Sequence, residues 1–258
     1  MLKRLLDIRP GLTEVFEIMG WDSLLASEWQ KIDEVCTLLQ PFYEHTQVMQ
    51  ADSVALSNVL PVLLDLKCHL QLSQNVPTVK VMATSMLAAL HQRFAKLLNC
   101  ATEGFDPLAA AACYVDPSVS AILCAPSLPG LLAAARTFIF NQCSSLSSES
   151  AHPSSSAQST PTSSGVGTST SANVESVEPP LKRFKFLQQQ LSISHSQSTS
   201  VGVGPETELA NYSAELCSTT VINCSATEFW QGREAGYPLL SKIALDLISA
   251  PASQAYTE

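Results

Sequence analysis

Apolar residues recur at three- and four-residue spacing through most of the first 143 residues, which is the pattern of one buried face of an α-helix. The first such stripe consists of Trp29, Ile32, Val35, Cys36, Leu39 and Phe42. A second consists of Leu56, Leu60, Leu63, Leu66 and Leu70, and a third of Met82, Met86, Leu90, Phe94 and Leu97. The alternation typical of β-strands is not sustained anywhere. The pattern predicts an all-α helical bundle.

Capping residues and prolines suggest where these helices begin and bend. Ser27 can open the first long helix, because its hydroxyl can accept from the exposed amides of the first turn. Pro41 and Pro61 lie inside the first two stripes and are expected to kink or divide them. Pro77 suits the first position of the third helix, where a missing N–H costs nothing. Shorter helices are expected at 14–19, 107–114 and 129–140.

The composition changes at about residue 144, where Ser, Thr, Gly and Pro become dominant. Such a segment cannot bury enough apolar surface to offset about 1–2 kcal/mol of backbone ordering entropy per residue. We therefore expect a disordered linker over 144–205. One island at 179–187 contains Lys182, Arg183 and Lys185. It is interpreted as a nuclear import signal, as a docking peptide, or as apolar anchors that pack back on a neighbouring helix.

Helical patterning returns in the last piece of the chain, 206–258. A short amphipathic helix is predicted over 208–216, and Ser225 with Glu228 has the form of a capping box. Pro238 then stands at the start of a final helix whose apolar face is too wide for so short a segment to bury alone. The face needs a partner surface, either the N-terminal bundle or a second copy of the chain.

Charge and hydropathy exclude several classes of protein. The 258 residues carry a net charge of −9, with 46% hydrophobic and 14% charged residues. This acidic balance argues against non-specific nucleic-acid binding, which needs clustered Lys and Arg. No apolar run reaches the roughly 18 residues of a membrane span, and the N-terminus does not resemble a signal peptide. We expect no membrane partner.

The sequence offers no recognisable metal or cofactor site. None of the eight cysteines forms a Cys-x-x-Cys pair, so we expect reduced structural thiols in a reducing, intracellular compartment. His45, His69 and His91 fall on three predicted helices without a ligand pattern around them. Phosphate loops, nucleophile elbows and Cys–His pairs of known type are absent from the sequence. No cofactor is predicted.

Three stretches near the C-terminus carry a family resemblance: Ser-Ala-Thr-Glu-Phe-Trp at 225–230, Gly-Tyr-Pro-Leu-Leu at 236–240, and Ala-Pro-Ala-Ser at 250–253. Together they resemble the start of the C-terminal dimerisation region of hAT-family transposases and the host proteins derived from them. Segments at 25–46 and 57–70, and the Asp-Pro pair at 116–117, are similar to hAT proteins in the same order. Basic and aromatic residues that follow that pair in the family are replaced here by Ser-Val-Ser.

The resemblance implies a ribonuclease-H-like fold interrupted by a helical insertion. By this resemblance, residues 1–143 correspond to the insertion-like helical domain, and residues 206–258 correspond to the beginning of the dimerisation region. Glu258 aligns with the third of three metal-binding carboxylates, whereas the first two Asp belong upstream of Met1. Because one carboxylate cannot assemble a two-metal site, the chain as it stands is predicted to be non-catalytic. The family's BED zinc finger is also expected upstream, so DNA would be bound only through segments absent from this chain.

We therefore expect a self-associating module of a nuclear, BED-finger-type protein, with the cytoplasm as the alternative location. Two other interpretations stay open: an incomplete active hAT transposase, and a DNA-binding transcription regulator with its finger upstream. Aromatic anchors tend to dominate interfaces between proteins. Trp29 and Trp230 are expected to pack in the core rather than to form a base-stacking surface. The predicted dimer interface consists of Phe229, Trp230, Tyr237, Leu239, Leu240, Ile243 and Leu247.

Overall fold

The computed structural model describes residues 1–51, 54–125, 127–149, 184, 186, 204–218 and 225–252. The helices are α1 (Leu2–Asp7), α2 (Arg9–Met19), α3 (Ala26–Met49), α4 (Val59–Ser73), α5 (Lys80–Arg93), α6 (Ala95–Leu98), α7 (Leu108–Val115), α8 (Pro129–Glu149), α9 (Pro205–Ser218), α10 (Ala226–Gln231) and α11 (Leu240–Ser249). Short 3₁₀ helices lie at Leu56–Asn58 and Ser120–Cys124. Within the described ranges there is no strand, only an isolated antiparallel bridge between Ala55 and Pro251. The prediction of an all-α fold is confirmed.

Most of the predicted linker lies outside the described residues, and so do Lys182, Arg183, Lys185 and Glu258. Phe184 and Phe186 are the described residues of the basic island. The division of the chain into segments 1–143, 144–205 and 206–258 stays a prediction.

Helix α7 lies at the centre of the fold. Its sequence, Leu-Ala-Ala-Ala-Ala-Cys-Tyr-Val, combines strong helix formers with small side chains, and every residue from Ala109 to Val115 is buried. A helix that is apolar on all sides must be surrounded by other elements. The elements that pack against α7 are α4, α8, α11 and both 3₁₀ helices.

A single apolar core joins the two ends of the chain. Leu60 and Leu70 of α4 belong to the same buried cluster as Ile139 of α8, Trp230 of α10 and Leu240 of α11. The wide apolar face of the C-terminal segment is therefore covered by the N-terminal helices of the same chain. Trp29 is also buried, as expected for a core residue, with the Arg9 guanidinium 5.2 Å above its ring centroid.

The prolines act differently from the prediction. Helix α3 runs unbroken through the buried Pro41, so this residue does not divide it. Pro61 falls in the first turn of α4, where a missing N–H has no intrahelical partner to lose. Pro77 precedes α5, which begins only at Lys80.

Three further helix boundaries or faces differ from the sequence pattern. The backbone N–H of Leu25 donates to the Glu28 carboxylate at 2.8 Å, so Glu28 rather than Ser27 caps the start of α3. Helix α8 continues past the predicted end at residue 140 to Glu149. Met82 and Phe94 of the third stripe are exposed, whereas Ala83 and Leu90 of α5 are buried and Met86 packs partly buried against the core.

Five cysteines with described side chains, Cys36, Cys68, Cys100, Cys113 and Cys143, carry free thiols. Cys113 and Cys143 are fully buried, whereas Cys100 and Cys124 are exposed. Burial raises the pKa of Cys113 well above its ordinary value. Burial, with a smaller contribution from the charge of Glu208, raises the pKa of Cys143 to about 11.

We expect thiol reagents to separate these two classes. The thiolate is the reactive species, and at pH 8 a thiol with a pKa of about 11 is ionised to roughly one part in a thousand. Iodoacetamide at pH 8, followed by peptide mass spectrometry, should label Cys100 and Cys124 first and leave Cys113 and Cys143 unmodified until urea is added. Rapid labelling of Cys143 in the folded protein would contradict its placement in the core.

Candidate dimerisation site

Helices α9, α10 and α11 form one C-terminal unit on the bundle. Helix α10 begins with the predicted capping box. The backbone N–H of Ser225 donates to the Glu228 carboxylate at 2.9 Å, and the backbone N–H of Glu228 donates to Ser225 Oγ at 3.2 Å. The Ser225 backbone N–H and the Ser225 hydroxyl, which donates to the same carboxylate at 3.0 Å, hold the pKa of Glu228 below its usual value, so the cap is complete at neutral pH.

A cluster of aromatic rings connects the unit to α7. The Tyr212 ring lies 4.9 Å from Trp230 and 5.4 Å from Tyr114, measured between centroids. Phe229 and Trp230 meet edge to face at 5.3 Å, and Tyr237 approaches Trp230 in the same way at 5.9 Å. Edge-to-face pairs of this kind contribute about 0.5–1.5 kcal/mol beyond the area they bury.

Two polar groups of this cluster close the C-terminal end of α7. The Tyr212 hydroxyl donates to the carbonyl oxygen of Tyr114 at 2.9 Å, and Trp230 Nε1 donates to that of Val115 at 2.7 Å. The last carbonyls of a helix have no intrahelical partner, so a buried helix end must find donors elsewhere. Burial raises the pKa of Tyr212 well above its ordinary value, which keeps its hydroxyl protonated as a donor.

Two glutamates of α9, two helical turns apart, hold the rest of the unit. The buried carboxylate of Glu208 accepts from the backbone N–H groups of Leu240 at 2.8 Å and Leu239 at 3.2 Å. It therefore caps the start of α11, where a negative charge is favoured by the helix dipole. Because α9 carries this cap, the position of α11 depends on α9.

The second glutamate, Glu215, fixes the turn that leads into α11. Its carboxylate accepts from Arg233 Nε at 2.7 Å and Nη2 at 2.6 Å, and from the Tyr237 hydroxyl at 2.9 Å. The Arg233 guanidinium also lies 3.9 Å from the Phe229 ring centroid. Burial and the hydrogen bond to Glu215 raise the pKa of Tyr237, so its hydroxyl stays protonated.

The seven predicted interface residues lie together, but the partner that the structure gives them is their own chain. Phe229, Trp230 and Leu240 are almost completely buried in the protomer, and Ile243 and Leu247 are 7% and 8% exposed. Tyr237 and Leu239 are half-buried. Their part in a contact between two copies stays a prediction.

Several residues that organise the unit were missed by the sequence analysis. Tyr212, Glu208 and Glu215 were covered only by a predicted amphipathic helix, and Arg233 was not singled out. The only sign of these residues in the sequence was the spacing of two helical turns between the two glutamates, which places them on the same face of a helix. Their partners lie on other elements, which the spacing could not identify.

The chain leaves α11 along the bundle. The backbone N–H of Leu56 donates to the Ala250 carbonyl at 2.8 Å, and the backbone N–H of Ala252 donates to the Val54 carbonyl at 2.9 Å. Lys242, Asp246 and Ser249 form the exposed side of α11, with Leu245 half-buried. This pairing attaches the segment that follows α11 to the segment that precedes α4.

Across the described ranges, no three His, Cys, Asp or Glu residues are grouped so that they could hold a metal ion. His45 and His69 instead make contacts within the bundle, with Asp65 and with the Leu38 carbonyl. Asp116 ends α7 and accepts from the Ser57 hydroxyl at 2.6 Å. In the part of the chain that the structure describes, no helix has the length and apolarity needed to cross a membrane.

Comparison with protein families finds one match, and it falls on the C-terminal unit. Residues 208–258 match the hAT family C-terminal dimerisation region. The matched segment begins at Glu208, the residue that caps α11, and continues through α10 and α11. A search of curated proteins returned no match.

We predict that Trp230→Phe destabilises the protein without changing its fold. The substitution keeps an aromatic ring but leaves the buried Val115 carbonyl without its donor, which costs about 1–3 kcal/mol. Urea unfolding followed by circular dichroism measures this loss. Trp21→Phe is the matched control, because Trp21 is 59% exposed and its replacement should change the free energy of unfolding little. Equal stability of the two variants would show that the indole hydrogen bond is unimportant.

Glu208→Gln should weaken the start of α11. The amide still accepts one hydrogen bond but removes the charge that favours the helix N-terminus, so we expect a loss of about 1 kcal/mol in the free energy of unfolding. The same change should lower the pKa of Cys143, because the Glu208 charge contributes to raising it. Glu206→Gln, an exposed residue one position from the start of α9, serves as the control. Identical thiol titrations in both variants would disprove the coupling.

Proposed function

Since the chain belongs to the hAT family of transposase-derived proteins, we propose that its C-terminal unit of α9, α10 and α11 joins two copies of the protein. The observation that carries this proposal is the match of the dimerisation region to the residues that form the unit. The unit is held on the bundle by Tyr212 and Trp230, and Glu208 fixes α11 within it, so its outer surface is presented on a rigid support.

The burial of individual side chains suggests how the contact is made. Phe229, Trp230 and Leu240 attach the unit to its own bundle and are not accessible to a second copy without unfolding. Tyr237 and Leu239 stay partly exposed, and so does Leu245 on α11. We assign the contact between copies to this partly exposed apolar set, because a rigid apolar surface binds without a large ordering cost. Exchange of α10 and α11 between copies is the competing arrangement.

The proposal predicts that charge on the outer surface dissociates the dimer. Leu239→Glu combined with Leu245→Glu should convert the dimer to a monomer in sedimentation equilibrium, because a carboxylate would be buried unpaired in the contact. Circular dichroism should show unchanged helix content. Leu72→Glu is the matched control, since Leu72 is an exposed leucine of α4 outside the unit.

Two results would overturn the assignment. If the wild-type protein sediments as a monomer at every concentration, it does not self-associate and the proposal is wrong. If the double variant remains dimeric, the outer surface is not the contact between copies, and exchange of helices is favoured. Replacement of the buried Trp230 or Leu240 by Ala is a poorer test, since each costs about 2–5 kcal/mol of stability and confounds unfolding with dissociation.

We further propose that residues 1–258 act without catalysis of their own in the nucleus, as part of a BED-finger-type protein. The family region that matches residues 208–258 is a dimerisation region, and Lys182, Arg183 and Lys185 supply a candidate import signal. Sequencing the full transcript, upstream of Met1 and downstream of Glu258, tests which kind of parent protein these residues belong to. An upstream Asp pair with a continuation beyond Glu258 would favour an active transposase, whereas an upstream finger with broken carboxylates would favour a regulator.

A further inference from the structure

A groove between α3 and α4 holds two phenylalanines from the segment whose composition predicts a linker. Phe184 is 2% exposed, and Phe186 packs against the same apolar core. Both residues are far in sequence from the helices that hold them: the contact between Asp65 and Phe186 spans 121 positions. The groove is separate from the C-terminal unit that is proposed to join two copies.

The floor of the groove is a buried carboxylate that accepts from the segment's backbone. Asp65 is 1% exposed, and its Oδ1 accepts from the backbone N–H of Phe186 at 2.9 Å. Its Oδ2 accepts from His45 Nε2, also at 2.9 Å. A charge this deeply buried is stable only when it is paired and hydrogen-bonded. The segment therefore supplies a buried partner of Asp65 rather than a surface contact.

Two histidine rings provide the side-chain contacts. Phe184 stacks on His45 with ring planes 19° apart and centroids at 6.2 Å, and Phe186 lies 4.6 Å from His69. Each histidine is oriented by its own hydrogen bond, since His69 Nε2 donates to the Leu38 carbonyl at 3.0 Å and His45 donates to Asp65. Two ring contacts and a main-chain hydrogen bond fix the register of the Phe-x-Phe segment.

We propose that this groove is a docking site for the chain's own Phe184–x–Phe186 segment, and that docking restricts access to Lys182, Arg183 and Lys185. The occupant is fixed by the structure, in which residues of the same chain fill the site. Lys185 lies between the two anchors, and Arg183 directly precedes the more deeply buried one. A protein that reads these cations in an extended chain must first release the anchors.

The distribution of basic residues makes trypsin a direct probe of docking. Between Arg136 and Arg233, the only Lys or Arg residues are Lys182, Arg183 and Lys185. Trypsin can therefore cut that whole span only beside the anchors. We expect Phe184→Ala combined with Phe186→Ala to accelerate cleavage at these sites by about tenfold or more, because cleavage requires the segment to leave the groove. Mass spectrometry identifies the sites.

A second protease and a peptide provide the controls. A glutamate-specific protease that cuts after Glu175, outside the anchors, should act equally fast on wild type and the double variant. A labelled peptide of residues 179–187 should bind the double variant, whose groove is vacated, in fluorescence anisotropy. The same peptide with both phenylalanines replaced by Ala should bind at least tenfold more weakly. Helix content by circular dichroism verifies that the double variant is folded.

Three outcomes would overturn the proposal. Equal tryptic rates in wild type and the double variant would show that the anchors do not protect the cations. Equal binding of the two peptides would show that the groove does not recognise phenylalanine. Docking within one chain is independent of protein concentration. Loss of protection on a roughly hundredfold dilution would therefore mean that a second copy supplies the segment. None of these results depends on whether the C-terminal unit joins two copies.

Discussion

The fold depends on two buried hydrogen bonds at the C-terminal end of α7. Because α7 is enclosed on all sides, water cannot satisfy its last carbonyl groups, and each one left unpaired would cost about 1–3 kcal/mol. Tyr212 and Trp230 supply the missing donors from α9 and α10. The most central helix of the bundle is therefore completed only by residues that lie about a hundred positions later, so the two ends of the chain fold as one body.

This dependence assigns different roles to the residues of the dimerisation region. Deeply buried aromatics serve the protomer, because they fill the core beside α7 and provide its donors. Glu208 and Glu215 then hold the start of α11 and the preceding turn in place. A preformed surface of this kind loses little conformational freedom on association. Substitutions of the outer side chains can therefore alter self-association without changing the contacts that hold the protomer together.

The sequence predicted the features that depend on local periodicity. Helical stripes identified the class of fold, and the capping box of Ser225 and Glu228 depends on residues only three positions apart. Pro41 does not divide α3, because the local loss of a backbone donor is offset by packing that the local sequence does not show. The partners of Glu208 and Trp230 could not be deduced, since each hydrogen bond joins elements that only the tertiary fold brings together. Composition over the long Ser-rich stretch predicted a linker, whereas the local pattern at 179–187 left open that apolar anchors pack back on a neighbouring helix, as Phe184 and Phe186 do.

The groove at Asp65 and the end of α7 are stabilised in the same way. In both places the bundle buries a polar acceptor, a carboxylate in one case and a carbonyl in the other, and a distant aromatic residue brings the donor. The two contacts differ in the elements that they join. Trp230 and Tyr212 close the end of α7, whereas Phe184 and Phe186 contact His45 of α3 and His69 of α4. The core is therefore completed at two separate places by aromatic residues that lie far along the chain.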